Sequence, residues 1–380
     1  MEFKLIVKKL NNTLNAEEKT IFDAWYRQSE EHRIYFDRVR ENYLKGHDVV
    51  DIQKGWATVS SKINAAPKRK TAGYWKYAAA IAVLFALGSS PFLFNDTPQA
   101  TTLRIDRSIK ASPIPIGTDK AVLTLEDGSN VALEKGKTYT TGTISSNGAQ
   151  LTYSNSSGTP PNTVAYNVLT IPRGGQFFLV LADGTKIWLN SESKLRYPIT
   201  FLENEPRQVD LLYGEAYFDV SPSSAHKGAR FIVAQKNQRI EVLGTEFNVK
   251  AYGEDAMIST TLVEGKVSLQ KGAVTQNLSP GQQSRIYPGT DEITVENVDI
   301  YNEISWKNGF FSFEDKPLED IMKVLSRWYD VEVVYANDRI KKMKFNGVFR
   351  KSQRIDDILM IIENTNEVDY DINEKTITMK

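Results

Sequence analysis

The side chains that most often carry out covalent or metal chemistry are scarce in this sequence. It contains no cysteine and three histidines, His32, His47 and His226. Without cysteine the chain has no disulfides, no thiolate metal ligands and no cysteine nucleophile. His226 stands alone in the long C-terminal part, so it would have to be the base of any Ser-His-Asp triad there. We therefore expect no catalytic residue, no metal site and no cofactor.

Sequence motifs of common enzymes are also missing. The patterns G-x-S-x-G, H-E-x-x-H and G-x-x-x-x-G-K-[ST] do not occur. The fragment GKT at 136–138 resembles the end of a phosphate-binding loop, but Val131 stands where its first glycine is needed. Asp127 and Asp183 each precede a glycine, and turn formation explains them without a paired-carboxylate glycan hydrolase. An enzyme is therefore the weaker class of function.

Residues 77–94 form an almost wholly apolar stretch, and no charge lies between Lys76 and Asp96. As a helix rising about 1.5 Å per residue, this stretch would span roughly 27 Å, close to the hydrocarbon thickness of a bilayer. A buried core helix would leave the aromatic residues at both ends and the basic residues before it unexplained. A cleaved signal peptide would lie nearer the N-terminus. The sequence therefore predicts one transmembrane helix.

The distribution of charge predicts an orientation and excludes one class of partner. Residues 61–76 hold five Lys or Arg and no acid, whereas residues 95–110 hold three Lys or Arg and two acids. This bias places the N-terminus in the cytoplasm. Over the whole chain, 47 basic residues balance 47 acidic ones, so we expect no direct binding to nucleic acid.

Residues 1–66 predict a small helical domain. Asn15 is a suitable N-cap with an acid at the third helical position, and this helix runs to about Gln28. Further helices are expected from Ser29 and from Asp48. The segment is too small to bury all of its large aromatic side chains, so these either form its core or contact a partner. A basic linker at 67–76 follows.

After the apolar stretch the pattern changes to that of β-strands. The motif L-x-L-x-D-G-[ST]-x-[VI]-x-L occurs at 123–133 and again at 179–189, which predicts a repeated hairpin. Further short strands are separated by glycines. We expect a β segment at 95–165 and an all-β domain, a sandwich or a β-roll, at 166–296.

The last part of the chain, 303–380, predicts a small α+β domain. Residues 313–335 and 349–372 repeat a β-α-β pattern, which predicts two helices on one sheet. Pro317 is expected in the first turn of the first of these helices, where a missing N–H costs nothing.

Several runs of residues resemble the FecR-type transmembrane anti-sigma factors. The run PRGGQFFLVLADGTKIWLN at 172–190 is similar to the core motif of that family. Other runs that carry the resemblance are YP at 197–198, LYGEAYFDV at 212–220, VLGTEFNV at 242–249 and LSPGQ at 278–282. WKNGF at 306–310 and LSRWY at 325–329 resemble the extra C-terminal domain of many members. Ala24-Trp25 and SEEH at 29–32 resemble the sigma-binding helices more loosely.

The resemblance implies a function in signalling. It implies that the cytoplasmic helices hold an extracytoplasmic-function sigma factor. It also implies that the periplasmic part contacts the N-terminal signalling domain of an outer-membrane TonB-dependent receptor, with a membrane protease as a further partner. The location implied is the inner membrane, crossed once. We expect the sigma factor to bind aromatic groups left partly exposed by the small bundle, namely Phe22, Trp25, Tyr26, Tyr35 and Phe36.

A second class of function stays open at this point. The β region would then be a carbohydrate-binding or scaffold module on a membrane anchor. Trp188, Tyr197, Tyr213 and Tyr217 would form its sugar platform. Their alternation with Leu and Val favours packing in a core instead.

Overall fold

The chain forms two compact units, residues 1–110 and 111–380. The computed structural model describes residues 5, 8–10, 14–28, 33, 36, 40, 114–154, 164–236, 238–287, 289–290, 292–364 and 368–380. In these ranges no helix is long and apolar enough to cross a membrane. The predicted span at 77–94, the linker at 67–76 and the helix from Asp48 lie outside the described residues.

The N-terminal unit contains the helix α1, Ala16–Gln28. The side chain of Asn15 accepts a hydrogen bond from the Glu18 amide at 2.8 Å, and the Glu18 carboxylate accepts one from the Asn15 amide at 3.0 Å. This reciprocal pair satisfies two backbone donors that a helix start leaves free. The predicted cap and helix are therefore confirmed. Within the region of the second predicted helix, Arg33, Phe36 and Arg40 are helical.

The second unit begins with eighteen strands. In chain order, β1–β18 are Thr118–Thr124, Asn130–Glu134, Tyr139–Thr141, Ile144–Ser146, Gln150–Tyr153, Tyr166–Ile171, Gly175–Val180, Lys186–Leu189, Ser193–Pro198, Arg207–Asp219, Phe231–Gln235, Gln238–Val242, Glu246–Ala251, Ile258–Glu264, Val267–Lys271, Val274–Leu278, Gln282–Ile286 and Thr294–Asn297. A short 3-10 turn, Ser223–His226, lies between β10 and β11.

The strands form two layers. Layer I has the order β2-β1-β6-β9-β10-β11-β12-β15-β16. Layer II has the order β3-β4-β5-β7-β8-β10-β13-β14-β17-β18. Most neighbours are antiparallel. The layers share β10, and a short parallel pairing of β1 with β7 joins them a second time.

Strand β10 belongs to both layers because it bends. Its register with β9 shifts between Leu211 and Tyr213. Gly214 follows with a φ of +97°, and a Cβ there would lie 2.3 Å from the Ser193 hydroxyl. Only glycine permits both the positive φ and the close approach. The all-β prediction is confirmed, but the strands form one continuous folded sheet instead of the two separate sheets of a sandwich.

The predicted hairpin repeat is present in both copies. β1–β2 turns at Asp127-Gly128 and β7–β8 turns at Asp183-Gly184, and both glycines have a φ of +83°. Inward-facing side chains of both layers, such as Leu123 and Leu179, belong to one buried apolar cluster. The alternation along each strand thus places one face in this core and leaves the other face outside.

The C-terminal domain packs against the β region within the same unit. Its elements are α2 Ile300–Ile304, the 3-10 turn Ser305–Asn308, β19 Phe310–Pro317, α3 Leu318–Tyr329, β20 Glu332–Tyr335, α4 Asp338–Lys341, β21 Lys344–Arg350, α5 Ile355–Glu363, β22 Tyr370–Asn373 and β23 Thr376–Met379. It has its own buried apolar cluster, which includes Leu325 and Ile358.

The predicted repeat is present in the C-terminal domain, but the prediction that its strands form a single sheet was wrong. The first strands of the two repeats, β19 and β21, pair with each other. The second set forms another sheet in the order β20-β23-β22, with β20 and β23 parallel. The first strands of the repeats therefore make a two-stranded sheet, whereas β23 lies between β20 and β22 in the other sheet. Pro317 ends β19 and precedes α3 instead of lying in its first turn.

Candidate functional site

The N-terminal aromatic cluster contains most of the residues predicted to bind a sigma factor. Phe22, Trp25 and Phe36 are buried with Leu5, and Tyr26 packs beside them partly buried. The ring centroids of Phe22 and Phe36 are 5.1 Å apart, edge to face. The expected partial exposure is therefore absent at Phe22, Trp25 and Phe36.

Among the predicted contact residues, Tyr26 keeps some exposed surface, and Tyr35 lies outside the described residues. Ile21, which was not among the predicted contact residues, is 43% exposed on the same helix. Contact faces are marked by contiguous apolar surface, and Ile21 with the partly exposed Tyr26 provides only a small amount of it. The binding role of the five predicted residues stays a prediction.

The outer face of layer II forms a seat for the C-terminal domain. Side chains of neighbouring strands align in one row across it, Glu215, Lys250, Ser259 and Arg285, and Asn190 just after β8 extends the row by bonding to Glu215. A parallel row consists of Phe178, Trp188, Tyr217, Asn248, Thr261 and Gln283. Strands that face water on one side normally carry polar residues there. Here that polar face is covered, and α2, the following 3-10 turn and β19 line a cleft of about 210 Å³ against it.

Glu215 is the charge most deeply placed in this seat. Its carboxylate accepts hydrogen bonds from the side-chain amides of Asn190 at 2.8 Å and Asn248 at 3.0 Å. Burial raises the pKa of Glu215, against the charge of Lys250 and these two amides. Burial alone would lower the pKa of Lys250, but the charges of Asp255 and Glu215 raise it overall. The charged groups of the seat thus shift one another's pKa values.

The end of α3 is tied to the β region by arginines from both sides. Arg327 is 3% exposed, and its guanidinium donates to Glu254 and Asp255, each at 2.7 Å. It also lies 3.6 Å from the centroid of the Tyr252 ring. From the β region, Arg173 donates to the carbonyl of Ser326 at 2.9 Å. These charge-assisted bonds fix the position of α3.

Lys351 and Trp328 form a second tie. The Lys351 ammonium donates to the Gln176 amide oxygen at 2.7 Å and lies 3.8 Å from the centroid of the Trp328 ring. The Trp328 indole N–H donates to the Lys351 carbonyl at 2.9 Å. Burial lowers the pKa of Lys351 to about 7. Lys307 similarly lies over the rings of Trp188 and Tyr217, at 4.2 Å and 3.8 Å.

The structure does not bring the four candidate sugar-binding aromatics onto one face. Tyr197 is fully buried in the core shared by both layers and bonds to Tyr153. Tyr217 is buried against Trp188 in the seat. Tyr213 is exposed near the bend of β10. A flat platform of stacked rings is therefore absent from these positions.

His226 makes a defined contact that the sequence did not reveal. Its Nε2 atom lies 2.8 Å from the Ser221 hydroxyl. Burial and the nearby Arg207 lower the pKa of His226. The carboxylate of Asp183, which a triad would need, is instead used by Arg207 at 2.7 Å and by Thr185. Over the described ranges, no cluster of three or more His, Asp or Glu has the geometry of a metal site.

Comparison with known proteins agrees with this architecture. Residues 167–268 match the family described as FecR protein, and residues 310–379 match FecR, C-terminal. Two crystal structures of a candidate anti-sigma factor from Parabacteroides distasonis ATCC 8503, at 1.65 and 2.50 Å resolution, are similar. Each is 27% identical with a TM-score of 0.51, covering 56% of this chain and 98% of that chain. The curated proteins gave no match. Both regions are matched in order within one compact unit, and together with the structural similarity these matches support a FecR-type anti-sigma factor, which is a family of regulators and not of enzymes.

Proposed function

We propose that this anti-sigma factor holds an extracytoplasmic-function sigma factor through residues 1–66 and crosses the inner membrane once, at 77–94. Its C-terminal part then lies in the periplasm, where it receives a signal from the N-terminal domain of an outer-membrane TonB-dependent receptor. The observation that carries this proposal is the pairing of a separate N-terminal unit, which contains helix α1, with a unit matched to both FecR regions. A membrane protease is a further proposed partner.

The proposed contact with the sigma factor is the surface of α1. Phe22, Trp25 and Phe36 hold the helical segment together from inside, so they act on binding through the fold. Ile21 and Tyr26 retain solvent-exposed side-chain surface at the two edges of this buried face. They are the proposed direct contacts. A large apolar anchor in a partner groove is typically worth about 2 kcal/mol or more.

Co-purification with candidate sigma factors tests this assignment. In the full chain, Ile21→Ala is expected to weaken sigma binding by about tenfold or more, equal to ~1.4 kcal/mol. Arg27 is exposed on the opposite side of the same helix. Arg27→Ala is therefore the matched control and should bind normally. Failure of every extracytoplasmic-function sigma factor to co-purify would refute the proposed function.

Reporter fusions test the topology. A phosphatase fused after Lys380 should be active, because that enzyme requires the periplasm, and one fused before residue 67 should be inactive. A cytoplasm-specific reporter that is active only at the C-terminal position would contradict the proposed orientation.

Receptor contact is proposed for the C-terminal domain. The sheet β20-β23-β22 ends in β20 on one side, and Val334 on this strand is 51% exposed. An edge strand with an exposed apolar residue can pair with a strand of a partner. Val334→Glu should abolish the response to the inducing signal while Glu332→Gln, on the same strand, leaves it intact. A normal response from Val334→Glu would remove β20 from the contact.

A further inference from the structure

We propose that the C-terminal domain is a releasable clamp on the leading segment, Ile114–Gly117, through which the chain enters its second compact unit. In the docked state the domain buries Ile114 of this segment and partly covers Ile116 and Gly117. When the domain leaves its seat on layer II, the segment becomes accessible. The proposal goes beyond the proposed function, because it holds whichever partner triggers the release.

The leading segment packs against the C-terminal domain although it is far away in sequence. Ile114 is buried in the apolar cluster of that domain, and Ile116 packs against the same cluster. Gly117 lies on the Trp328 ring so closely that a Cβ atom would be 2.6 Å from two ring carbons. The next residue, Thr118, donates its amide to the Gly174 carbonyl at 3.0 Å. The segment is thus held between the two domains.

The seat is built so that the domain can leave it. The β region and the C-terminal domain each have a separate apolar core. The bonds between them are largely polar, as between Gln283 and Glu303 at 2.9 Å and between Lys351 and Gln176 at 2.7 Å. Polar groups can exchange these partners for water, and polar interfaces between domains are those that permit relative motion.

The joint at the end of α3 is the contact most sensitive to charge. Arg327 is buried against Glu254 and Asp255, and its carbonyl accepts a hydrogen bond from the Gly174 amide at 2.7 Å. If both carboxylates are neutralised, the guanidinium is left buried without a negatively charged partner at this joint in the docked state. Undocking restores its hydration, so the equilibrium shifts toward the released state.

Thiol labelling of the full chain measures this release directly. Because the chain has no cysteine, Ile114→Cys introduces a single thiol. Its reaction with a maleimide should be slow, and Glu254→Gln with Asp255→Asn should accelerate it at least tenfold. Asp255 also pairs with Lys250 at 3.2 Å, so Glu254→Gln alone is a second arm and should accelerate labelling by a smaller factor. Glu241→Gln, in the exposed pair with Arg230, is the matched control and should leave the rate unchanged.

Two further reporters separate release from unfolding. Val233→Cys lies in the core of the β region and Ile358→Cys in the core of the C-terminal domain. Acceleration at position 114 with both core thiols still protected supports the clamp. Gly117→Ala, which wedges the segment away from Trp328, should have the same selective effect. An unchanged rate at position 114, or equal acceleration at all three positions, would overturn the proposal.

Discussion

Asp127 and Asp183 occupy equivalent positions in the repeated hairpin, but their environments differ. Each accepts a hydrogen bond from the backbone amide two residues later, Ser129 at 2.8 Å and Thr185 at 3.0 Å. Only Asp183 also pairs with Arg207, at 2.7 Å and with both side chains at most 3% exposed. The sequence explained both aspartates by turn formation, and this is incomplete for Asp183.

The two aspartates therefore provide an internally controlled prediction. Asp183→Asn leaves the buried Arg207 without its counter-charge, and it should lower the free energy of unfolding by about 3 kcal/mol or more. Asp127→Asn should have little effect, because its turn is exposed to water. Urea unfolding of both variants measures the difference, and equal effects would show that Arg207 does not need this carboxylate.

Lys351 predicts a pH dependence of stability. Burial lowers its pKa from 10.5 to about 7, so the folded chain binds fewer protons than the unfolded chain between these values. The free energy of unfolding contributed by this group therefore rises with pH across that window and is constant below it. The total change is on the order of a few kcal/mol.

Lys351→Met should remove this part of the slope between pH 7 and 10.5. Denaturant unfolding at a series of pH values is the measurement. Lys375→Met, at a side chain that is largely exposed, should keep the slope of the unchanged protein. A slope that survives in Lys351→Met would mean that another group causes the pH dependence.

Among the elements, α1 shows how a marginal helical segment gains stability. Its amide donors are capped by Asn15 and Glu18, and its buried face is held by the cluster of Phe22, Trp25 and Phe36. Helices of this length depend on such packing, because isolated ones are marginal in water. The same residues thus cannot be truncated without affecting the fold.

Trp25→Ala is therefore expected to unfold the N-terminal unit. The loss of a buried indole typically costs about 3–5 kcal/mol. Melting of this unit and its affinity for the sigma factor should be measured together, with Ile21→Ala as the surface counterpart. An intact fold with weak binding in Trp25→Ala would instead place Trp25 in the interface, as the sequence predicted.

The elements that the sequence predicted correctly are those set by local chemistry. The cap at Asn15, the Asp-Gly hairpins and the two C-terminal repeats follow from residues close together in the chain. The order of the strands does not follow from neighbouring residues, because it depends on where β10 bends and on which distant strands pair. The pairing of β20 with β23 is of this kind, and the single-sheet prediction failed there.

The seat residues were missed for a related reason. Glu215 and Lys250 alternate with apolar residues exactly as residues facing water do, so the pattern assigns them to an exposed face. The C-terminal domain, which lies far along the chain, covers this face, where Glu215 is buried and Lys250 is partly buried. The need for a small residue at Gly117 is likewise set by a distant residue, the Trp328 ring.

At the scale of the whole second unit, two apolar cores meet across a polar surface. The core of the β region draws on both layers and includes no residue of the C-terminal domain. The face that the domain covers carries amides, hydroxyls and charges, such as Asn190, Glu215 and Gln283. Removal of the domain would thus expose groups that water can hydrogen-bond, with a few aromatic rings among them.

A chain that ends at Asn302 should therefore keep the folded β region. Amide protection in β6 and β9 should change by less than about tenfold, or ~1.4 kcal/mol, because these strands depend on their own core and lie in the layer away from the seat. Hydrogen exchange of the truncated and full-length chains gives the comparison. Loss of protection throughout layer I would show instead that the two domains fold as one cooperative unit, and a releasable C-terminal domain would then be excluded.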